Sequence, residues 1–196
     1  MSKTGPAYPT VYAPDREAWR TWLAEHHALE PGALLVYYKK GSEQPSVTYP
    51  EAVQEALCFG WIDTTRRALD AARFVQVFVP RRPTSTWSRL NKTYVEELIR
   101  AGRMTPAGLR AIEVAQHNGA WHALEAGESL IVPPDLTAAL EANPVARGHF
   151  EAFPPSVRKY ILTWIHAAKR PETRQKRVEQ TVQLAAQNIR ARGNRP

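Results

Sequence analysis

Ten residues between positions 39 and 91 carry the side chains that recognition of an anion requires: Lys39, Lys40, Trp61, Asp63, Arg66, Arg81, Ser85, Trp87, Ser88 and Asn91. Arg81, the hydroxyls of Ser85 and Ser88 and the amide of Asn91 can cradle a phosphate or carboxylate near a helix N-terminus. An aspartate among several cations serves either as an ion-paired orienter or as a base. A tryptophan beside it can stack on a base or ring. The competing reading is structural: Asp63 pairs with an arginine to satisfy a half-buried sheet face, and both tryptophans are core.

A second group is defined by charge. The chain has a net charge of +7, and residues 133–196 supply most of it, with 11 Lys/Arg against 5 Asp/Glu. From 156 onward the balance is ten to two, and Arg174, Lys176, Arg177 and Arg190 are the residues expected to hold phosphates. A solvated helix face and an anionic lipid surface are the other readings of such a segment.

Other chemistries lack local support. Cys58 is the only cysteine, so an internal disulfide and a multi-cysteine zinc site are excluded. It lies near the end of a helix, where the dipole disfavours a thiolate, and reads as a small buried hydrophobe. The six histidines, His26, His27, His117, His122, His149 and His166, form no recognised ligand spacing. GxGxxG, Walker and GxSxG motifs are absent, so no cofactor, no metal and no catalytic residue is assigned.

The elements expected to position these residues belong to an α+β fold. Asp15 caps a helix reaching about Ala28, and Thr48-Tyr49-Pro50-Glu51 is a capping box that opens a second helix ending at Gly60. Residues 33–40, 61–68 and 73–80 read as strands of a small antiparallel sheet of about three strands flanked by helices. Alternation along the second strand puts Trp61, Asp63, Thr65 and Arg67 on one face and Ile62, Thr64 and Arg66 on the other. After Ser88 the pattern is helix or loop throughout, with the last helix spanning about 171–191. The expected division is an α+β unit at 15–128 and a helical unit at 133–192. Residues 1–14 lack the apolar core of a signal peptide, and the longest apolar run, Ala33 to Tyr38, is too short to span a bilayer. The expected address is cytoplasmic.

Two stretches resemble the YdeI/OmpD-associated, or bacteriocin-protection, family. The first comprises Lys39-Lys40, Glu51-Ala52, the segment EALCFGWID from Glu55 to Asp63, Pro80-Arg81, Ser85-x-Trp87-Ser88, Asn91, Gly102-Arg103-Met104 and Ala107-Gly108-Leu109. The second comprises Pro155-Ser156, Trp164-Ile165, Ala168-Lys169, Glu172-Thr173-Arg174 and Arg177. One departure is Thr64, which stands where the family usually has glycine after Trp-Ile-Asp. The resemblance implies a setting of envelope stress and antimicrobial tolerance and no agreed chemistry. Taken with the charge, the leading expectation is binding of an anionic partner, nucleic acid or another polyanion. The alternatives are an enzyme or small-ligand binder acting on a phosphorylated or carboxylated metabolite in a Lys40/Asp63/Arg81 pocket, and a protein-interaction module without chemistry. Oligomeric state is left open.

Overall fold

The computed structural model describes residues 8–39 and 41–191, which form two compact units. The first takes the chain up to Ser85 and then Leu90–Trp121; the second takes Thr86–Arg89 and the chain from His122 onward. Together they are an α+β protein whose C-terminal region is helical.

In the first unit, helix α1 (Arg16–His26) begins where Asp15 accepts a hydrogen bond from the Ala18 amide at 2.8 Å, and it buries Trp19 and Leu23. Helix α2 (Tyr49–Cys58) opens on the expected capping box. The Glu51 carboxylate accepts from the Thr48 amide at 3.0 Å and its hydroxyl at 2.7 Å. The Trp19 indole ties the two helices together by donating to the Ala52 carbonyl at 3.1 Å.

Gly60 then turns the chain from α2 into β3 (Trp61–Ala68) at φ +74°, and a Cβ there would stand 3.0 Å from the Ala107 carbonyl oxygen. Only glycine meets both demands without strain. With β2 (Ala33–Tyr38) and β4 (Arg73–Pro80), β3 supplies the three antiparallel strands expected. A fourth, β1 (Thr10–Tyr12), pairs parallel to β2, so the sheet is mixed, in the order β1-β2-β4-β3. Its three residues are too few for an alternating pattern to reveal a strand.

The pairing of β3 with β4 is irregular. Asp63 faces Phe78, whereas the next partner pair is Arg66 with Gln76, so β3 uses one extra residue over this interval. Such a bulge shifts the alternation that follows it. Arg66 therefore lies on the same face as Asp63, and the expectation that they point to opposite faces is corrected.

Helices α3 (Arg89–Arg100) and α4 (Pro106–His117) follow. The start of α4 is pinned to the end of α2. Thr105 Oγ1 donates to the Cys58 carbonyl at 2.6 Å, and a Cβ on Gly108 would fall 2.3 Å from that same oxygen.

The second unit is built from α5 (Glu125–Glu128), α6 (Pro134–Glu141), α7 (Pro144–Ala152), α8 (Pro155–His166) and α9 (Pro171–Ala186). The last four each place proline in their first turn, where its missing N–H costs nothing. Leu136, Leu140, Phe150, Ile161, Leu162, Ile165 and Val178 make its core. No strand follows Pro80 among the described residues. Helix α9 ends earlier than expected. Asn188 adopts φ +57° and the Ile189 amide returns to the Leu184 carbonyl at 2.8 Å, which leaves Arg190 beyond the helix.

Candidate functional site

Strand register gathers a polar cluster on one face of the sheet of the first unit. Tyr37 lies opposite Phe74, Gln76 opposite both Leu35 and Arg66, and Asp63 opposite Phe78. Residues directly opposite in an antiparallel pair share a face, so Tyr37, Gln76, Asp63 and Arg66 share theirs. Asp63 accepts from the Tyr49 hydroxyl at 2.7 Å and from the Gln76 amide at 3.4 Å. The Tyr37 ring stacks on Phe74 with 5.0 Å between centroids, and the Arg66 guanidinium covers Phe74 at 3.7 Å.

The hydroxyl of Tyr37 is buried and has no hydrogen-bond partner among the described residues, in a residue that is 4% exposed. Burial raises its pKa far above the ordinary phenol value, and electrostatic interaction with Tyr49 and with Asp63 pushes it the same way. Tyr49 is raised as well, by burial and then by its bond to Asp63. Both phenols are therefore neutral donors at physiological pH. Arg81, which follows β4 directly, is pulled down to about 10 by burial, with Asp63 acting in the opposite direction. It is protonated at neutral pH. The cluster thus holds a carboxylate, two phenolic donors, an amide and a buried cation, a set that can orient a small ligand bearing both an anionic and a hydroxyl group.

Of the ten residues expected to act together, the structure brings Asp63, Arg66 and Arg81 into this neighbourhood. Lys39 instead donates to the Asp70 and Ala71 carbonyls, at 3.1 and 2.9 Å, and secures the turn between β3 and β4. Ser85 accepts from the Arg82 amide at 3.1 Å within its own turn. Trp61 and Trp87 are each 1% exposed, so neither offers a stacking face. Asn91 is half-buried in the first unit, whereas Trp87 and Ser88 belong to the second. Lys40 lies outside the described residues.

Sequence reasoning passed over Tyr37, Tyr49 and Gln76. Gln76 carried a signal, as the one uncharged polar side chain inside the apolar run RFVQVFVP. Tyr37 and Tyr49 carried none, because one reads as strand core and the other as the first residue of a capped helix.

A second carboxylate was also passed over. Glu55 on α2 is fully buried and accepts from Arg16 at 2.5 Å, Arg20 at 2.5 Å and Arg103 at 2.9 Å. Arg103 also reaches Glu17 at 2.8 Å, and Arg20 donates to the Arg103 carbonyl at 2.9 Å. An acid inside the apolar stripe of Ala52, Val53, Ala56 and Leu57 was its signal. Cys58 is buried beside this cluster; burial, then the Glu55 charge, push its thiol up, against the opposing pull of Arg20 and Arg103. It is a packed thiol and not an activated one.

The four C-terminal cations divide two and two. Arg174 grips Asp135 with both ends of its fork, at 2.6 and 2.9 Å, and Arg177 donates to the Trp164 carbonyl while lying 5.1 Å from the Trp164 ring centroid. Lys176 and Arg190 are exposed. Arg192 and Arg195 lie outside the described residues. No three His, Cys, Asp or Glu side chains gather to hold a metal among the described residues, and no helix there is long and apolar enough to cross a membrane.

Residues 11–111, which include the whole tyrosine–carboxylate cluster, match the model of a family described as a domain of unknown function (DUF8412). Residues 129–188 match the family described as bacteriocin-protection, YdeI or OmpD-associated. No curated protein and no solved structure matches the chain.

Proposed function

We propose that this chain, which belongs to the DUF8412 family of domains of unknown function and carries a YdeI/OmpD-associated segment, binds a small anionic metabolite at the Tyr37–Tyr49–Asp63–Arg81 cluster. The observation that carries this reading is the Tyr37 hydroxyl, buried and without an acceptor beside Asp63. A buried donor left in this state is costly and uncommon unless a ligand or solvent satisfies it. Arg81 supplies the positive field that favours a phosphorylated or carboxylated partner, and Asp63 is placed to accept from a hydroxyl of the same molecule. Bacteriocin protection, the wording of the YdeI/OmpD-associated description, and a cytoplasmic address belong to the same reading. The test is calorimetric titration with inorganic phosphate, sugar phosphates and small dicarboxylates. Tyr37→Phe should weaken whichever ligand binds by about tenfold, the loss of one good hydrogen bond in a dry site. Unchanged affinity in that variant would remove the cluster from consideration.

A second reading, a polyanion such as nucleic acid on the helical unit, is favoured by one observation. Lys169, Arg170, Lys176 and Arg190 are exposed, and none takes part in an ion pair among the described residues. These four, and not Arg174 and Arg177, are free to release counterions from a phosphate backbone. Titration of labelled DNA and RNA across salt concentrations decides it. Absence of binding at low salt ends this reading.

A further inference from the structure

The second unit contains a cavity of about 160 Å³ that neither the charge pattern nor the tyrosine–carboxylate cluster explains. Leu140 and Phe150 of its core form the apolar wall, and Thr137 adds a hydroxyl. Four charged side chains reach it. Two of them, Arg147 and Glu151, neutralise one another across one turn of α7, with 2.8 Å between Nε and Oε1. The other two, Arg158 in the first turn of α8 and Glu141 at the end of α6, take part in no ion pair among the described residues. The Nε of Arg158 is moreover buried with no acceptor among the described residues.

A guanidinium held in this way keeps its two Nη groups for a ligand, a planar fork that fits a carboxylate. The Nε is closed to solvent, whereas the Nη atoms are not, so a carboxylate entering the cavity meets the guanidinium end-on through its Nη pair. Glu141 offers the complementary anion at the same cavity. The rest of the lining includes the aliphatic and aromatic side chains of Leu140 and Phe150. Cavities of about 150 Å³ hold a ring-sized apolar molecule, so the volume suits one compact hydrocarbon group and little more.

We infer that this cavity is a binding site for a small hydrophobic α-amino acid, with its carboxylate on Arg158, its ammonium toward Glu141 and its side chain against Leu140 and Phe150. The site is separate from the cluster in the first unit, and neither reading depends on the other. Residues 129–188, the segment matched to the YdeI/OmpD-associated family, include every side chain named.

The test is a titration of the full chain, followed by amide chemical shifts, with L-leucine and with 4-methylpentanoate, the same molecule without its amino group. Saturable shifts confined to residues lining the cavity are expected, with leucine the tighter ligand by about tenfold, one charge-assisted contact's worth. Arg158→Gln should abolish binding of both. Glu141→Gln should abolish only the preference for leucine, and because Glu141 is exposed this variant tests the assignment without endangering the fold. Thr137→Trp, which fills the cavity from its rim, should block both ligands, with circular dichroism confirming the folded state. No saturable shift at about 10 mM ligand, weaker than any useful affinity, would overturn the proposal. So would shifts elsewhere, or equal affinity for the two probes.

Discussion

Two carboxylates of the first unit, Glu55 and Asp63, lie only eight positions apart in the sequence and have opposite surroundings. Glu55 is sealed and holds three guanidiniums that join α1, α2 and the segment before α4. Asp63 is half-buried, accepts one short bond from Tyr49 and a long one from Gln76, and stands near a tyrosine hydroxyl that has no acceptor. An acid sealed from solvent, with both oxygens held by protein cations, is closed to a ligand; its effect is on stability. An acid in a cluster with an unmatched phenol costs stability and retains capacity for recognition. The contrast separates scaffold from site more sharply than either residue type or charge does.

The largest expected effect breaks the scaffold side of this contrast. Glu55→Gln leaves three guanidiniums without their anion and should cost about 3 kcal/mol, measured by urea unfolding. The same variant should let thiol reagents reach Cys58 faster, whereas the parent protein labels slowly because its thiol is buried and raised in pKa. A cost below about 1 kcal/mol would mean that water already shares the pairing.

Tyr37→Phe is the converse. Removing a buried hydroxyl that has no partner should leave stability unchanged or raise it by about 1 kcal/mol, while ligand affinity falls. A clear loss of stability would show that the hydroxyl is satisfied in solution, and the recognition argument would lapse.

Asp63→Asn should cost about 1 kcal/mol or less, since Tyr49 and Gln76 can still bond to the amide oxygen, and should weaken binding of an anionic ligand that bears a hydroxyl. A cost as large as that of Glu55→Gln would instead class Asp63 as scaffold and abolish the contrast.

The smallest effect comes from pH. Glu51, in the capping box at the start of the helix that carries both Tyr49 and Glu55, has its carboxyl lowered by hydrogen bonds from the Thr48 hydroxyl and amide. Its folded-state pKa is below the unfolded value of about 4.3, so its contribution is complete above that pH and is lost as pH falls through the depressed value. Glu51→Gln keeps an acceptor at every pH and should flatten the acid limb of stability by about half a kcal/mol. An unchanged acid limb would place the titration elsewhere.

Much of the fold was legible because its signals are local. Asp15, the Thr48–Glu51 box, Gly60 and the prolines opening α6 to α9 act on their immediate backbone, so residue type and spacing suffice. β1 was not legible, since a strand of three residues exists only through its pairing with β2. Arg66 was assigned to the wrong face because a bulge is a property of two strands in register and not of one. The site was legible in part. Asp63 and Arg81 stood out as charges in strand context, but Tyr37 and Tyr49 became polar partners only when the sheet and the N-terminus of α2 met.

The basic C-terminal segment marks the same boundary. Composition by itself determined that residues 156–196 carry ten cations against two acids, because charge is a sum over residues and needs no coordinates. Which cations remain available was decided by folding. Asp135, far from Arg174 in sequence, holds it through both ends of its fork, and Trp164 holds Arg177, whereas Lys176 and Arg190 meet no such partner among the described residues. Pairing depends on distances of a few ångströms between residues tens of positions apart, and those distances exist only in the folded chain.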